Sequence, residues 1–170
     1  MKKALLSIAL GSLAASCVVP SMAADGRLEF DGGIGSTPFA LPPANAPVGT
    51  QVVPNDVRGI PPGGRPWVIG KLKAAVRPDG SISVRGEGLL LGGGNAVGLP
   101  ALPRQVVATL FCGAAEFNSP AVNLDANGNF AIKGTLAGVL PNPCTTPTLL
   151  IRNFAAGAPG AWFAAGIPEN

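Results

Sequence analysis

Residues 67–91 constrain the fold more than any other stretch, because they predict two strands folded back on each other. Apolar residues alternate with Lys71, Lys73 and other polar residues in the first arm, and the second arm alternates in the same way. A two-residue period is typical of a strand with one buried face. Between the arms, segment 77–81 (RPDGS) has the residues of a type I turn, with Gly80 in the left-handed position that follows it.

The register of this hairpin follows from the parity of its two arms. Directly opposite residues of an antiparallel pair lie on the same face of the sheet. A two-residue Asp79-Gly80 loop would set apolar residues against polar ones, whereas a three-residue loop with Gly80 in the bulge position matches the faces. We therefore predict the pairs Val76–Ile82, Ala74–Val84, Val68–Leu90 and Lys71–Glu87. This register puts Val68 and Leu90 on the inward, apolar face.

Residues 121–136 repeat this design, with Gly128 as the left-handed residue of segment 125–129 (DANGN). The same parity argument predicts the pairs Leu124–Phe130 and Val122–Ile132. The polar residues of the turn also resemble the start of a calcium loop. However, Phe130 stands where such a loop needs glycine, and Leu136 stands where it needs a bidentate Glu. We therefore predict a hairpin rather than a metal site.

The remaining segments predict an all-β chain. Short runs of alternating apolar residues indicate further strands at 26–31, 104–113, 147–154 and 161–167. The 24 glycines and 18 prolines suit short strands joined by tight turns. We predict an antiparallel two-sheet sandwich of seven or eight short strands, immunoglobulin-like in general shape. A small closed β-barrel is the alternative.

The N-terminal residues 1–23 predict a signal peptide. Lys2 and Lys3 precede a mostly apolar run, and small residues at the end favour cleavage after Ala23. The run is shorter than the ~20 apolar residues that cross a membrane. An alternative lipoprotein signal would make Cys17 the lipidated first residue. Either signal predicts an exported protein, periplasmic or extracellular.

The rest of the chain divides at residue 66. Residues 24–66 predict a short strand followed by a Pro/Gly-rich segment, which is either a linker or a surface loop, and 67–170 predict the β-sandwich domain. Eight prolines fall between residues 32 and 66, and proline cannot donate to a strand ladder. The same segment carries several large apolar residues, which disfavour a freely solvated tail.

Cys112 and Cys144 are the two cysteines that remain after the predicted cleavage. A pair of cysteines in an oxidising compartment favours one disulfide, with two free thiols as the alternative. The residues between them contain the whole second hairpin, which can bring the two ends of the loop together. A zinc site is disfavoured because the chain has no histidine, and two thiolates alone do not hold zinc.

The missing residue types argue against an enzyme. Without histidine or tyrosine the chain lacks the imidazole base and the phenolic acid of many active sites, and it has no G-x-S-x-G motif. The glycines at 92–94 lack the Lys-Ser/Thr of a phosphate-binding loop. We predict no catalytic, cofactor-binding or metal-binding residue. The acidic residues that leave a carboxylate pair open are Asp25, Glu29, Asp31, Asp56, Asp79, Glu87, Glu116, Asp125 and Glu169.

The C-terminal hundred residues resemble a recurring pattern in small exported bacterial proteins. The pattern consists of ATLFCG at 108–113, LDANGNFAIKG at 124–134, Cys144, LLIR at 149–152 and WFAAGIP at 162–168. The resemblance implies a secreted β domain and carries over no activity and no functional residue.

The function that these features favour is that of an exported, non-catalytic β-sandwich module, with a binding or structural role in the envelope or outside the cell. Its expected partner is a protein or an envelope component. Nucleic acid is disfavoured, because the chain after residue 23 is nearly neutral. The alternatives are a carrier of a small apolar ligand in a barrel cavity and a carboxylate-dependent hydrolase.

We expect mass spectrometry of the exported protein to find Ala24 as the first residue, because small residues precede this position. A mature chain that begins with a diacylated Cys17 would contradict this prediction and make the protein a lipoprotein.

Overall fold

The computed structural model describes residues 26–101 and 104–169, so the predicted signal peptide with Cys17 lies outside the described residues. Within these ranges the chain forms thirteen strands and no helix. The strands are β1 (Leu28–Gly35), β2 (Phe39–Ala40), β3 (Val53–Pro54), β4 (Trp67–Val68), β5 (Lys71–Val76), β6 (Ser81–Glu87), β7 (Leu90–Leu91), β8 (Gln105–Cys112), β9 (Ala115–Asn118), β10 (Val122–Asn123), β11 (Phe130–Thr135), β12 (Thr148–Ala155) and β13 (Ala158–Pro168). The described part therefore has no helix that could cross a membrane.

Nine of these strands form one antiparallel sheet that curls into a half-barrel, in the order β10-β8-β12-β13-β1-β5-β6-β11, with β9 also paired to β8. The other four form two small sheets, β2 with β3 and β4 with β7. The end strands of the long sheet, β10 and β11, are consecutive in the chain and are joined by the turn at 125–129. The prediction of an all-β antiparallel fold is confirmed, although the strands are more numerous than the seven or eight expected.

The first hairpin has the predicted register. Strands β5 and β6 pair Val76 with Ile82, Ala74 with Val84 and Lys71 with Glu87. Strands β4 and β7 continue it with Val68 opposite Leu90. Gly80 has a φ of 82°, as its place in the turn requires.

The predicted inward face of Val68 and Leu90 is wrong. Val68 is 49% exposed. Trp67, which precedes Val68, and Leu91, which follows Leu90, are the residues that are buried. The alternation of inward-facing and outward-facing side chains shifts by one residue at Gly70 and Gly88, where the ladder between the two arms is interrupted. Gly88 has a φ of 68°, a conformation that breaks the regular alternation of a strand.

The second hairpin has the predicted turn but not the predicted strand pairing. The Asp125 amide donates to the Asn129 carbonyl oxygen at 3.0 Å, and Gly128 has a φ of 75°. Beyond the turn the arms diverge to opposite ends of the sheet. Val122 pairs with Val106 on β8, and the other arm pairs with β6. The predicted pairs Leu124–Phe130 and Val122–Ile132 are therefore wrong.

A glycine on β6 explains why β11 pairs there. Phe130 lies opposite Gly86, and a Cβ atom on Gly86 would overlap the Phe130 ring. The ring thus covers a position that only glycine leaves open. The turn itself is held against the segment between β6 and β7, because the Leu89 amide donates to the Gly128 carbonyl oxygen at 2.9 Å.

The core is one cluster of buried side chains on the concave side of the curled sheet. The completely or almost completely buried members include Phe30, Leu72, Val84, Leu110, Ile132, Leu149 and Ile151. They come from β1, β5, β6, β8, β11 and β12, so the cluster connects both halves of the sheet. Strand β1 lies between β13 and β5, within the same sheet as the strands after residue 67.

Residues 55–62 lie on the outer face of the sheet. Phe111, Leu150 and Trp162 form a second buried cluster there, packed against Val57 and Ile60. The Trp162 Nε1 donates to the carbonyl oxygen of residue 55 at 3.1 Å. This part of the proline-rich segment is therefore a surface loop in contact with the sheet, and it explains why β12 and β13 are buried on both faces.

The predicted disulfide is confirmed. Cys112 and Cys144 are both buried and bonded, with their Cα atoms 4.9 Å apart. Cys112 ends β8, and Cys144 precedes β12, so the bridge closes a loop between two neighbouring strands of the sheet. The Gly113 amide donates to the Thr145 carbonyl oxygen at 2.7 Å next to the bridge.

The two turn glycines give different expectations on substitution by alanine. Both have positive φ, which should cost each variant about 1 kcal/mol. At Gly128 a Cβ atom would also overlap the Leu89 backbone, whereas at Gly80 the nearest atom is a Thr135 methyl carbon at 3.5 Å. We expect urea unfolding to show that Gly128→Ala loses at least about 1 kcal/mol more than Gly80→Ala. Equal losses would contradict this account of the turn.

Removal of the disulfide should destabilise the protein clearly. In the chain-entropy model, a bridge between residues 32 positions apart stabilises by roughly 3–4 kcal/mol. We expect the Cys112→Ala, Cys144→Ala double variant and the reduced wild type to melt at similar, lower temperatures than the oxidised protein. Melting that does not depend on reductant would show that the bridge adds no stability.

Candidate functional site

An open cavity of about 420 Å³ lies at one end of the curled sheet, beside the start of β8 and β13 and the end of β12. This volume is in the range of small-molecule sites. The lining residues with the largest or most polar side chains are Arg65, Trp67, Leu91, Arg104, Asn153 and Phe163. They come from β4, β7, β12, β13 and the segments before β4 and β8, so the cavity exists only in the folded chain.

Two stacked aromatic rings form the base of the cavity. The ring centroids of Trp67 and Phe163 are 4.1 Å apart with an interplanar angle of 24°. Both residues are buried and also belong to the main core. Ser36 connects their strands, since its amide donates to the Phe163 carbonyl oxygen and its carbonyl accepts from the Trp67 amide. The stack is therefore fixed by the same contacts that hold the sheet together.

Two glycines make room for this stack. A Cβ atom on Gly35 would overlap the backbone of Trp67. A Cβ atom on Gly63 would lie 2.6 Å from the Trp67 Nε1 and 3.0 Å from the Phe163 ring. Only glycine permits such close approach of the backbone to the rings.

Arg104 covers the stack. Its guanidinium carbon lies 5.4 Å from the Trp67 ring centroid and 5.1 Å from that of Phe163, which are cation–π distances. Its Nη1 donates to Asn153 Oδ1 at 2.8 Å, and its Nε donates to the Ala101 carbonyl oxygen at 3.4 Å. Burial lowers the pKa of Arg104. The side chain nevertheless stays charged, because arginine does not deprotonate in proteins.

The charges of the cavity lining are all positive. In the part of the chain that the structure describes, Arg65 and Arg104 line it and no aspartate or glutamate does. The ion pairs of the described residues involve other arginines and lysines: Arg27–Glu29, Lys71–Glu87, Lys73–Asp31, Arg85–Glu87 and Arg152–Glu116. The two cavity arginines thus have no carboxylate partner among residues 26–101 and 104–169.

Arg152 is a buried arginine with a structural role. It is 5% exposed, and its Nη1 donates to Glu116 Oε1 at 2.7 Å. Its Nε and Nη2 donate to carbonyl oxygens at the start of β13, at residues 160 and 159. All its nitrogens are thereby used to join β9, β12 and the start of β13, which leaves the side chain inaccessible to a ligand.

The structure brings three of the acidic residues to one surface groove, Glu29 and Asp31 on β1 and Glu169 after β13. The Glu169 amide donates to the Glu29 carbonyl oxygen at 2.9 Å. A hydrogen bond with the Glu29 side chain raises the pKa of Glu169, and desolvation and the negative charge of Glu29 add to this effect. The Glu29 side chain also pairs with Arg27 at 2.9 Å, with both groups more than one third exposed. Glu29 and Glu169 lie in a shallow surface groove, apart from the aromatic cavity.

The resemblance of the second turn to a calcium loop has a structural explanation. Asp125 Oδ1 accepts from the amides of Asn127 and Asn129, both at 2.8 Å. The hydrogen bond from the Asn129 amide lowers the pKa of Asp125 most, and the bond from the Asn127 amide adds to this effect. The Asp125 carboxylate therefore accepts the hydrogen bonds that hold the turn. Among the described residues no group of three or more acidic, histidine or cysteine side chains could hold a metal ion.

The residues singled out in the sequence do not line the cavity. Gly80 and Gly128 lie in the two turns, and Cys112 and Cys144 lie at the bridge. The sequence did not indicate the aromatic pair or Arg104, because Trp67, Arg104 and Phe163 are far apart in the chain. A weak signal was present, since Arg104 lies just before β8, whose residues 106–112 are all buried.

Comparison with protein-family models, curated proteins and solved structures finds no match to this chain.

The raised pKa of Glu169 can be measured directly. Glu29→Gln replaces the neighbouring carboxylate by an amide that can donate to Glu169, so we expect a lower Glu169 pKa in an NMR titration. In the wild type, folding favours the protonated Glu169. Its contribution to stability is therefore present below the ordinary glutamate pKa and is lost as the pH rises through the raised value. Asp56→Asn, on a different segment, is the control, and an unchanged Glu169 pKa in Glu29→Gln would contradict the assigned cause.

Proposed function

We propose that this protein is an exported, non-catalytic β module that binds its ligand or partner group in the cavity above the Trp67–Phe163 stack. The observation that carries this proposal is an open cavity with an aromatic base and an arginine held in place by Asn153. Cavities with apolar walls and a few convergent polar groups are the usual form of a binding site.

Export is supported by the bonded cysteines. Disulfides persist in oxidising compartments, so a buried bridge agrees with a periplasmic or extracellular location. The strand order favours the barrel alternative over the sandwich for the fold class, because a tight turn joins the two end strands of the curled sheet.

A non-catalytic role is supported by the chemistry of the cavity lining. The polar side chains of the cavity are those of Arg65, Arg104 and Asn153. An arginine that stays protonated cannot act as a general base, and an amide is neither an acid nor a nucleophile. These groups can hold and orient a ligand but offer no proton transfer.

The two alternative functions have less support. A carrier would place an apolar ligand on the concave side of the sheet, where buried side chains form the core. A carboxylate-dependent hydrolase has one observation in its favour, the neighbouring Glu29 and Glu169. Their groove is exposed to solvent, which offers little to exclude water or enclose a substrate.

The proposal can be tested by NMR with a variant that fills the cavity. Ala161 lines the cavity, so Ala161→Leu should occupy part of its volume, while Ala131→Leu on the exposed face of β11 serves as the matched control. We expect compounds from an envelope extract to shift the Trp67 and Phe163 signals in the wild type and in the control but not in Ala161→Leu.

The bound compounds should be recovered chemically unchanged, as mass spectrometry of the released material can establish. Binding that persists in Ala161→Leu would contradict the proposed site. Conversion of the bound compound would contradict the non-catalytic role, and loss of that conversion in Glu29→Gln would favour the hydrolase.

A further inference from the structure

The arginine over the aromatic stack has hydrogen-bonding capacity that the protein leaves free. A guanidinium group has five N–H donors. Two are used, by Asn153 Oδ1 and by the Ala101 carbonyl oxygen. Among the described residues the other three have no acceptor, although the group is partly buried and lines the cavity.

The position of this guanidinium is fixed before any ligand binds. The two rings hold it on one side at 5.4 and 5.1 Å, and the 2.8 Å bond to Asn153 sets its rotation. A fixed fork of donors loses little conformational freedom when it binds a planar or tetrahedral oxyanion, and such pairs are often bidentate. Arg65 adds a second positive charge to the same cavity.

The absence of acidic groups from the lining favours a negative ligand over a positive one. A cation would meet two arginines and no carboxylate, whereas an anion would meet both arginines and the free donors of Arg104. The walls next to Arg104 include Leu91 and Ala161, which suit an apolar portion of the same ligand.

We propose that the cavity binds a small organic oxyanion, a carboxylate or a phosphate attached to an apolar group, through the free donors of Arg104 with the charge of Arg65 behind them. This inference rests on the proposed function and adds the chemical class of the ligand.

The test is an NMR titration of the mature protein with paired probes. The anions are benzoate and phenyl phosphate, and the neutral analogues of similar size are benzamide and benzyl alcohol. We expect the anions to shift the signals of Trp67, Arg104 and Phe163 and to bind at least tenfold more tightly than the neutral probes. Their affinity should fall as salt rises, because the attraction is partly electrostatic.

Three arginine variants separate recognition from folding. Arg104→Gln should weaken anion binding by about tenfold to a hundredfold, which is the usual range for a hydrogen bond to a charged group. Arg65→Gln, at an exposed position, should weaken it less without disturbing the stack. Arg77→Gln in the distant turn is the matched control and should bind as the wild type does.

The outcomes distinguish the two proposals. Equal or tighter binding of the neutral probes at the same residues would overturn the inference and leave the proposed binding site standing. Unchanged anion affinity in both Arg104→Gln and Arg65→Gln would also overturn the inference. If no probe of either class shifts the cavity signals, the inference and the proposed site both fail.

Discussion

The contact between Trp67 and Phe163 is the interaction on which both the fold and the candidate site depend. The two rings are buried in the core and also form the base of the cavity. Such a stack contributes about 0.5–1.5 kcal/mol beyond the burial of its area. Its position follows from Ser36, which hydrogen-bonds to both strands, and from Gly63, where a side chain would collide with the rings. A binding surface built on the core is rigid, because any change in it would disturb the packing of the sheet.

The curled sheet places this surface at the ends of its strands β8, β12 and β13. Buried side chains from both halves of the sheet form one cluster on its concave side, and residues 55–62 cover part of its outer face. The ends of the sheet meet through the turn at 125–129, whose Gly128 carbonyl oxygen accepts from the Leu89 amide. The segments that precede β4 and β8 carry the arginines, whereas the strands carry the apolar residues, an arrangement that is common in β proteins that bind ligands.

Much of the fold could be predicted from the sequence because the relevant signals are local. The turn at Gly80 and the register that follows it depend on residues within one hairpin, and both were predicted correctly. The disulfide followed from the count of cysteines and the expected compartment. The turn at Gly128 was also local, but its arms pair with strands distant in sequence. That choice depends on where a ring such as Phe130 finds a glycine opposite, which only the assembled sheet decides.

The site was not predictable for the same reason. Trp67 and Phe163 are far apart in the chain, and neither forms a motif with Arg104. The central claim is that ligands bind in the open cavity above the Trp67–Phe163 stack and not among the buried side chains of the core. Anomalous diffraction from crystals soaked in bromide and pressurised with xenon tests it most directly, since bromide marks anion sites and xenon marks empty apolar cavities. The account predicts bromide beside the Arg104 guanidinium and no xenon among the buried core side chains. Xenon among the core side chains, with no bromide at the cavity, would contradict it.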